Sequence, residues 1–267
     1  MYEQYYGLSE KPFSLTPDTD FYYQSYTHQE ALNVLLVAIK SGDGFIKVTG
    51  EVGTGKTLMC RKLLDALEPD FETAYVPNPY MTSSALLQAV LNELGISGDV
   101  AEEDYLSRIN DHLIENARQD KGTVIILDEA QSLPAESLEA IRLLSNLETG
   151  KHKLVQIVLF GQPELDNILS QNNIRQLKQR IMHSYELQPL SEDSIRSYLQ
   201  HRIKSAGYRG PELFDVGAQR RIFKFSQGIP RVINVLCNKA LMLSYASGEF
   251  YVCRKHIEAA AADSQVQ

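Results

Sequence analysis

Eight consecutive residues, Gly50-Glu51-Val52-Gly53-Thr54-Gly55-Lys56-Thr57, place glycines, a lysine and a hydroxyl at the spacing G-x-x-x-x-G-K-[ST]. Glycines there let the main chain wrap tightly and aim its N–H groups inward, which makes a cradle for anionic oxygens. The backbone from Gly50 to Leu58 is the expected cradle, and a helix beginning at Lys56 adds the positive end of its dipole. Lys56 is expected to reach the β- and γ-phosphates of a nucleotide, and the Thr57 hydroxyl to ligate Mg²⁺. A second group, Val124-Ile-Ile-Leu-Asp128-Glu129, ends an apolar run in two carboxylates. An aspartate in that place holds Mg²⁺, and a glutamate beside it polarises a water for attack on the terminal phosphate.

Three further positions extend this chemistry. Gln162 follows the apolar run ending at Phe160 and is a candidate sensor of the γ-phosphate or the attacking water; the competing reading is a cap for the helix after Pro163. Glu164 reads only as a first-turn helix acid. Hydrolysis needs a cation on the developing charge, often from a neighbouring copy. Arg180, just before the last strand, ranks first for that part and Arg175 second, the bland reading of each being a solvated helix face. Arg231, opening a helix after Gly228-Ile-Pro230, is placed to report on nucleotide state.

The elements that must position these residues alternate. Strands are expected at 45–49, 73–76, 123–127 and 154–160, and helices at 28–40, 56–67, 83–94, 105–117 and 134–147. Strands apolar on both faces and joined by helices imply a parallel sheet covered on both sides. After Pro189 the strand signal stops, and helices are expected at 191–206, 212–226, 231–244 and 255–262. The expected domains are an arm, 1–27, packed on the core; an α/β core, 28–188; and a helical lid, 189–267.

Composition sets the wider limits. The 267 residues carry a net charge of −8, and residues 189–267 hold 11 Lys and Arg against 7 Asp and Glu, so an acidic body bears a mildly basic tail region. The N-terminus lacks the basic and apolar regions of a secretory signal, and the best apolar stretch, 31–39, is about half of what a membrane helix needs. A cytoplasmic protein, at most peripheral at a membrane, is expected. Cys60, Cys237 and Cys253 match no zinc or redox spacing and read as reduced thiols, two of them packing residues.

Together these residues resemble the AAA+ superfamily of P-loop NTPases. The arm Tyr6-Gly-Leu-Ser-Glu-Lys-Pro-Phe-Ser-Leu-Thr-Pro-Asp18, with Tyr26-Thr-His-Gln-Glu-Ala-Leu32, Gly161-Gln-Pro-Glu-Leu165 and Gly228-Ile-Pro-Arg231, narrows the resemblance to the ExeA/GspA family of bacterial secretion ATPases. It implies a parallel five-stranded core followed by a helical lid, ATP or ADP with Mg²⁺ held between them, and nucleotide-dependent self-association. It also implies inner-membrane secretion or MSHA-type pilus proteins as partners, and Phe13 and Tyr22 on the adenine side. Secretion members continue into a membrane helix and a cell-wall-binding domain. This chain stops after the lid, so a shorter pilus-type member or a fragment is expected. A DNA-associated AAA+ helper is the alternative, set back by the negative charge and by the lack of a helix-turn-helix after the lid.

Overall fold

The computed structural model describes residues 2–68, 70–98, 101–148, 153–171 and 174–264. These residues fall into two compact units.

One unit, 28–50 with 59–187, contains a five-stranded sheet. Its strands are β1 (Phe45–Thr49), β2 (Phe71–Val76), β3 (Gly122–Leu127), β4 (Gln156–Gly161) and β5 (His183–Glu186), in the order β2-β3-β4-β1-β5. All pairings are parallel, with Val124 opposite Gln156, Phe45 opposite Ile157 and Ile46 opposite His183. Parallel strands need crossover helices, which bury both faces. Hence β1 and β4 are buried at every position, and β3 from Thr123 onward. Two apolar layers result. Ile125, Leu127, Ile157 and Leu159 pack with α4 (Ser83–Glu93), α5 (Tyr105–Arg118) and α6 (Ala135–Leu144). Val124, Ile126, Val158 and Phe160 pack with α2 (Tyr26–Ser41) and α3 (Lys56–Leu67) through Ala31, Leu35, Met59 and Leu63. A basic charge lies inside: Lys47 of β1, 7% exposed, forms an ion pair with Asp166 of α7 (Glu164–Leu169). A buried ammonium persists only when it is paired in this way.

The other unit joins residues 1–27, 51–58 and 188–267. It holds α1 (Tyr2–Tyr6), α9 (Glu192–Ser205), α10 (Val216–Ser226), α11 (Pro230–Ala246) and α12 (Arg254–Asp263); the remaining helix, α8 (Arg175–Lys178), lies in the first unit. Expected and observed elements differ mostly at their ends. Asp215 starts α10 four residues later than the sequence pattern does, because its side chain accepts from Ala218 N at 2.6 Å and caps the helix there.

The arm's buried residues Tyr2, Tyr6, Leu8, Phe13 and Phe21 share one apolar cluster with Leu199, Phe214 and Leu241 of the helical unit. Phe13, expected beside adenine, is 2% exposed and meets the Phe214 ring edge-on at 5.8 Å, so it is a core residue. Arg202 of α9 fastens the arm. Its guanidinium is buried and donates to the carbonyl oxygens of Pro12 at 2.7 Å and Ser14 at 3.3 Å, while lying 4.7 Å from the Phe21 ring centroid. Carbonyl dipoles and a ring face replace a carboxylate partner there.

Candidate phosphate loop and acidic sheet edge

The loop after β1 is gathered around one main-chain carbonyl. Glu51 O accepts from Thr54 N at 3.3 Å, Thr54 Oγ1 at 2.8 Å and Lys56 Nζ at 3.0 Å. Lys56 is 5% exposed, so its ammonium is folded over the loop rather than extended into solvent. Thr57, one residue into α3, is half-buried. Gly53 has φ +85, and a β-carbon there would lie 2.5 Å from Arg231 Cβ. That close approach carries a bond, since Arg231 N donates to Gly53 O at 3.2 Å. The same approach explains why residues 51–58 group with the helical unit, whereas the sequence reading placed the whole loop in the core. The Arg231 side chain remains exposed, and Pro230 before it occupies the first position of α11.

The second cluster lies at the C-terminal edge of the sheet. Parallel pairing puts the ends of β3, β4 and β1 on that same edge, and Gly50 N, at the end of β1, donates to Gly161 O at 3.2 Å. Asp128 is 2% exposed; its N–H donates to Val76 O and its Oδ1 accepts from Glu129 N, at 3.0 and 2.9 Å. Tyr75 of β2 directs its hydroxyl at Asp128 Oδ2 from 3.5 Å, and burial together with that neighbouring charge raises the Tyr75 pKa. Glu129 has φ 55, a left-handed conformation that costs a residue with a β-carbon about 1–2 kcal/mol. Such strain persists where surrounding bonds over-determine it. Here Ser132 N and Oγ donate to Glu129 O at 2.9 and 2.8 Å. The Glu129 carboxylate oxygen Oε2 accepts from Gln131 Nε2 at 2.5 Å and from Gln162 Nε2 at 3.2 Å. Gln162 therefore joins the glutamate rather than capping α7, whose start Pro163 occupies.

The arginines separate. Arg175 opens the short α8 and is exposed, whereas Arg180 is half-buried, and its charge adds to that of Lys153 in lowering the Glu148 pKa. Glu164 is exposed in the first turn of α7. Burial raises the Tyr22 hydroxyl to about 12. Cys60 and Cys237 are buried packing residues. Among the described residues, Glu249, Cys253 and His256 are the one group of three His, Cys, Asp or Glu side chains whose donor atoms gather closely. That group already has a structural use: Cys253 N donates to His256 Nδ1 at 3.1 Å, and the pair caps α12. Sequence reasoning missed Tyr75 and Gln131. The polar Gln131, two residues after Glu129, was the one available signal.

A threonine hydroxyl and a buried aspartate are each oxygen donors of the kind that suits a hard divalent cation such as Mg²⁺. The fold is that of P-loop NTPases of the AAA type, and residues 39–169 match the family described as an AAA domain. The chain is 43% identical to General secretion pathway protein A of Aeromonas hydrophila over 263 residues, 98% of this chain and 48% of that protein. It is 24% identical, over 81% of its length and 55% of the other's, to an uncharacterized HTH-type transcriptional regulator of Methanocaldococcus jannaschii. It thus spans about half the length of both curated relatives. Among solved structures, Cdc6p from Pyrobaculum aerophilum aligns with TM-score 0.73 at 17% identity, over 94% of this chain and 70% of that one. The Aeropyrum pernix ORC1 protein in complex with DNA aligns with TM-score 0.68 at 20% identity, over 96% and 69%. These two likenesses concern the fold. Among the described residues no helix is long and apolar enough to cross a membrane.

Proposed function

We propose that this protein binds ATP with Mg²⁺ and hydrolyses it in the service of a bacterial secretion or MSHA-type pilus apparatus at the cytoplasmic face of the inner membrane. The observation that carries the hydrolytic part is the Glu129 carboxylate, held by Gln162 at 3.2 Å beside a buried Asp128 in a chain with a complete phosphate loop. In this reading the amides of residues 50–58 and the Lys56 ammonium bind the phosphates, Lys56 leaving Glu51 O to do so. Thr57 and Asp128 are the oxygen donors for Mg²⁺, which when bound neutralises phosphate charge. Glu129 accepts a proton from the attacking water, and Gln162 orients that water or the γ-phosphate. Arg231 senses the phosphates from the first turn of α11. Arg180, ahead of Arg175, acts on the site of a neighbouring copy in a nucleotide-dependent oligomer.

The secretion part rests on the 43% identity to General secretion pathway protein A, and the pilus part on the aromatic arm and its Lys11-Pro-Phe13 turn. Turnover measured against protein concentration, with mass in solution with and without ATP, tests the reading. Specific activity and mass should both rise; a monomer with concentration-independent turnover rules out the trans arginine. Capture of inner-membrane pilus proteins in the presence of ATP tests the partner, and failure with all of them removes the pilus assignment. The mildly basic helical region favours a second reading, DNA association, which a salt-dependent, ATP-dependent shift of duplex DNA would support over the first.

A further inference from the structure

The tip of β3 and the turn after β4 are joined by a residue outside the roles assigned above. We propose that Gln131 is a positioning residue for hydrolysis: it fixes the Glu129 carboxylate and the Gln162 backbone in one arrangement and touches neither nucleotide nor water itself. This rests on the reading of Glu129 as the base.

The bonds form a closed ring. Gln131 Oε1 accepts from Gln162 N at 2.9 Å, Gln131 Nε2 donates to Glu129 Oε2 at 2.5 Å, and Gln162 Nε2 donates to the same oxygen at 3.2 Å. The amide orientation of Gln131 follows from chemistry. A backbone N–H can only donate, so it must meet the oxygen, and the NH₂ group is left facing the carboxylate. Glu129 Oε2 thus spends its lone pairs on two amides, and the direction of the carboxylate is set by residues on two different strand ends. Gly161 preserves the room for this: a β-carbon there would lie 3.2 Å from Gln131 Oε1 and 2.8 Å from Leu165 Cδ2. Gln131 also belongs to the 3-10 turn Ala130–Ser132, whose residue Ser132 binds the strained Glu129 carbonyl. One short turn therefore holds both the backbone and the side chain of the glutamate. A base displaced from the line of attack loses rate without losing substrate, because binding belongs to the phosphate loop.

The test separates the two bonds. Gln131→Ala removes both; Gln131→Glu keeps an acceptor for Gln162 N but turns a carboxylate toward Glu129. Both variants should lower kcat by roughly 10- to 100-fold, as loss of a group orienting a catalytic residue does, with KM and nucleotide affinity unchanged and the thermal midpoint preserved. In a Glu129→Gln background, adding Gln131→Ala should leave the residual turnover where it was, since a residue acting only through Glu129 has nothing further to remove. Wild-type kcat in either single variant, or a second multiplicative loss in the double variant, overturns the proposal. Unchanged turnover in Glu129→Gln alone overturns the underlying reading instead, so the two failures are distinguishable.

Discussion

The phosphate loop and the acidic sheet edge serve neighbouring steps of one proposed reaction, and the chain secures them by opposite means. The loop is held through its backbone carbonyls: Glu51 O accepts from Thr54 N, Thr54 Oγ1 and Lys56 Nζ, and Gly53 O accepts from Arg231 N. The sheet edge is held by side chains, with Tyr75 on Asp128 and with Gln131 and Gln162 on Glu129. Backbone geometry tolerates changes of residue type wherever no special φ or close contact is needed. A side-chain network does not, because each atom has an assigned partner. Point substitutions should therefore be harmful almost everywhere at the sheet edge and only at selected places in the loop.

The largest effect that can break this comparison lies in turnover itself. Glu129→Gln should cut kcat by about 10²–10⁴-fold with nucleotide binding retained, whereas Lys56→Ala should lose binding, as fluorescence titration with a labelled ATP analogue will show. Equal losses of binding in both variants would erase the division between grip and chemistry. Next in size is Gly53→Ala, which meets a 2.5 Å clash with Arg231 Cβ as well as the left-handed φ penalty of about 1–2 kcal/mol. It should lower the thermal midpoint and weaken nucleotide binding, while Val52→Ala, at an exposed neighbouring position, should change neither by more than about 2-fold. Arg202→Ala leaves the Pro12 and Ser14 carbonyls without their buried donor and should cost about 2–4 kcal/mol in urea unfolding, with the arm becoming sensitive to protease.

A smaller effect is expected with pH. Burial, with Arg202 nearby, lowers the His201 pKa below its usual 6.5. The unfolded chain then binds the proton more readily, so stability is full above about pH 6.5 and falls as pH drops through that value. His201→Gln should flatten this fall between pH 7.5 and 5.5; an unaltered slope assigns it to other groups. Smallest is Tyr75→Phe, which removes one long contact to Asp128 and should reduce turnover about 2- to 5-fold through weaker Mg²⁺ retention, read as a rise in the Mg²⁺ concentration for half-maximal rate.

The strands and the loop were legible because their signals are local. β1 and α3 begin and end where the apolar run and the lysine place them, and β4 lies between β1 and β3 as a sensor strand must. The arm's place in the helical cluster was not legible for a physical reason. Tyr, Phe and Pro without periodicity announce burial but not against what, and its anchor, Arg202, is 190 residues beyond Pro12. Tyr75 was missed because its partner Asp128 lies 53 residues away, and Gln131 because its tie to Gln162 N spans 31 residues and forms only when parallel strands bring separate chain ends to one edge, although its other partner, Glu129, is two residues back. The grouping of the loop with the helical residues turns on a single contact, the Gly53–Arg231 approach, which needs the tertiary fold to exist.

That contact has a mechanical meaning. Because the amide of Arg231 donates to the carbonyl of Gly53, an anion that displaced the loop would pull on the first turn of α11, a 17-residue rod roughly 25 Å long. A rod of that length would turn a small tilt at its root into a larger sweep near Ala246, and at position 231 itself only proline removes the N–H that makes the tie.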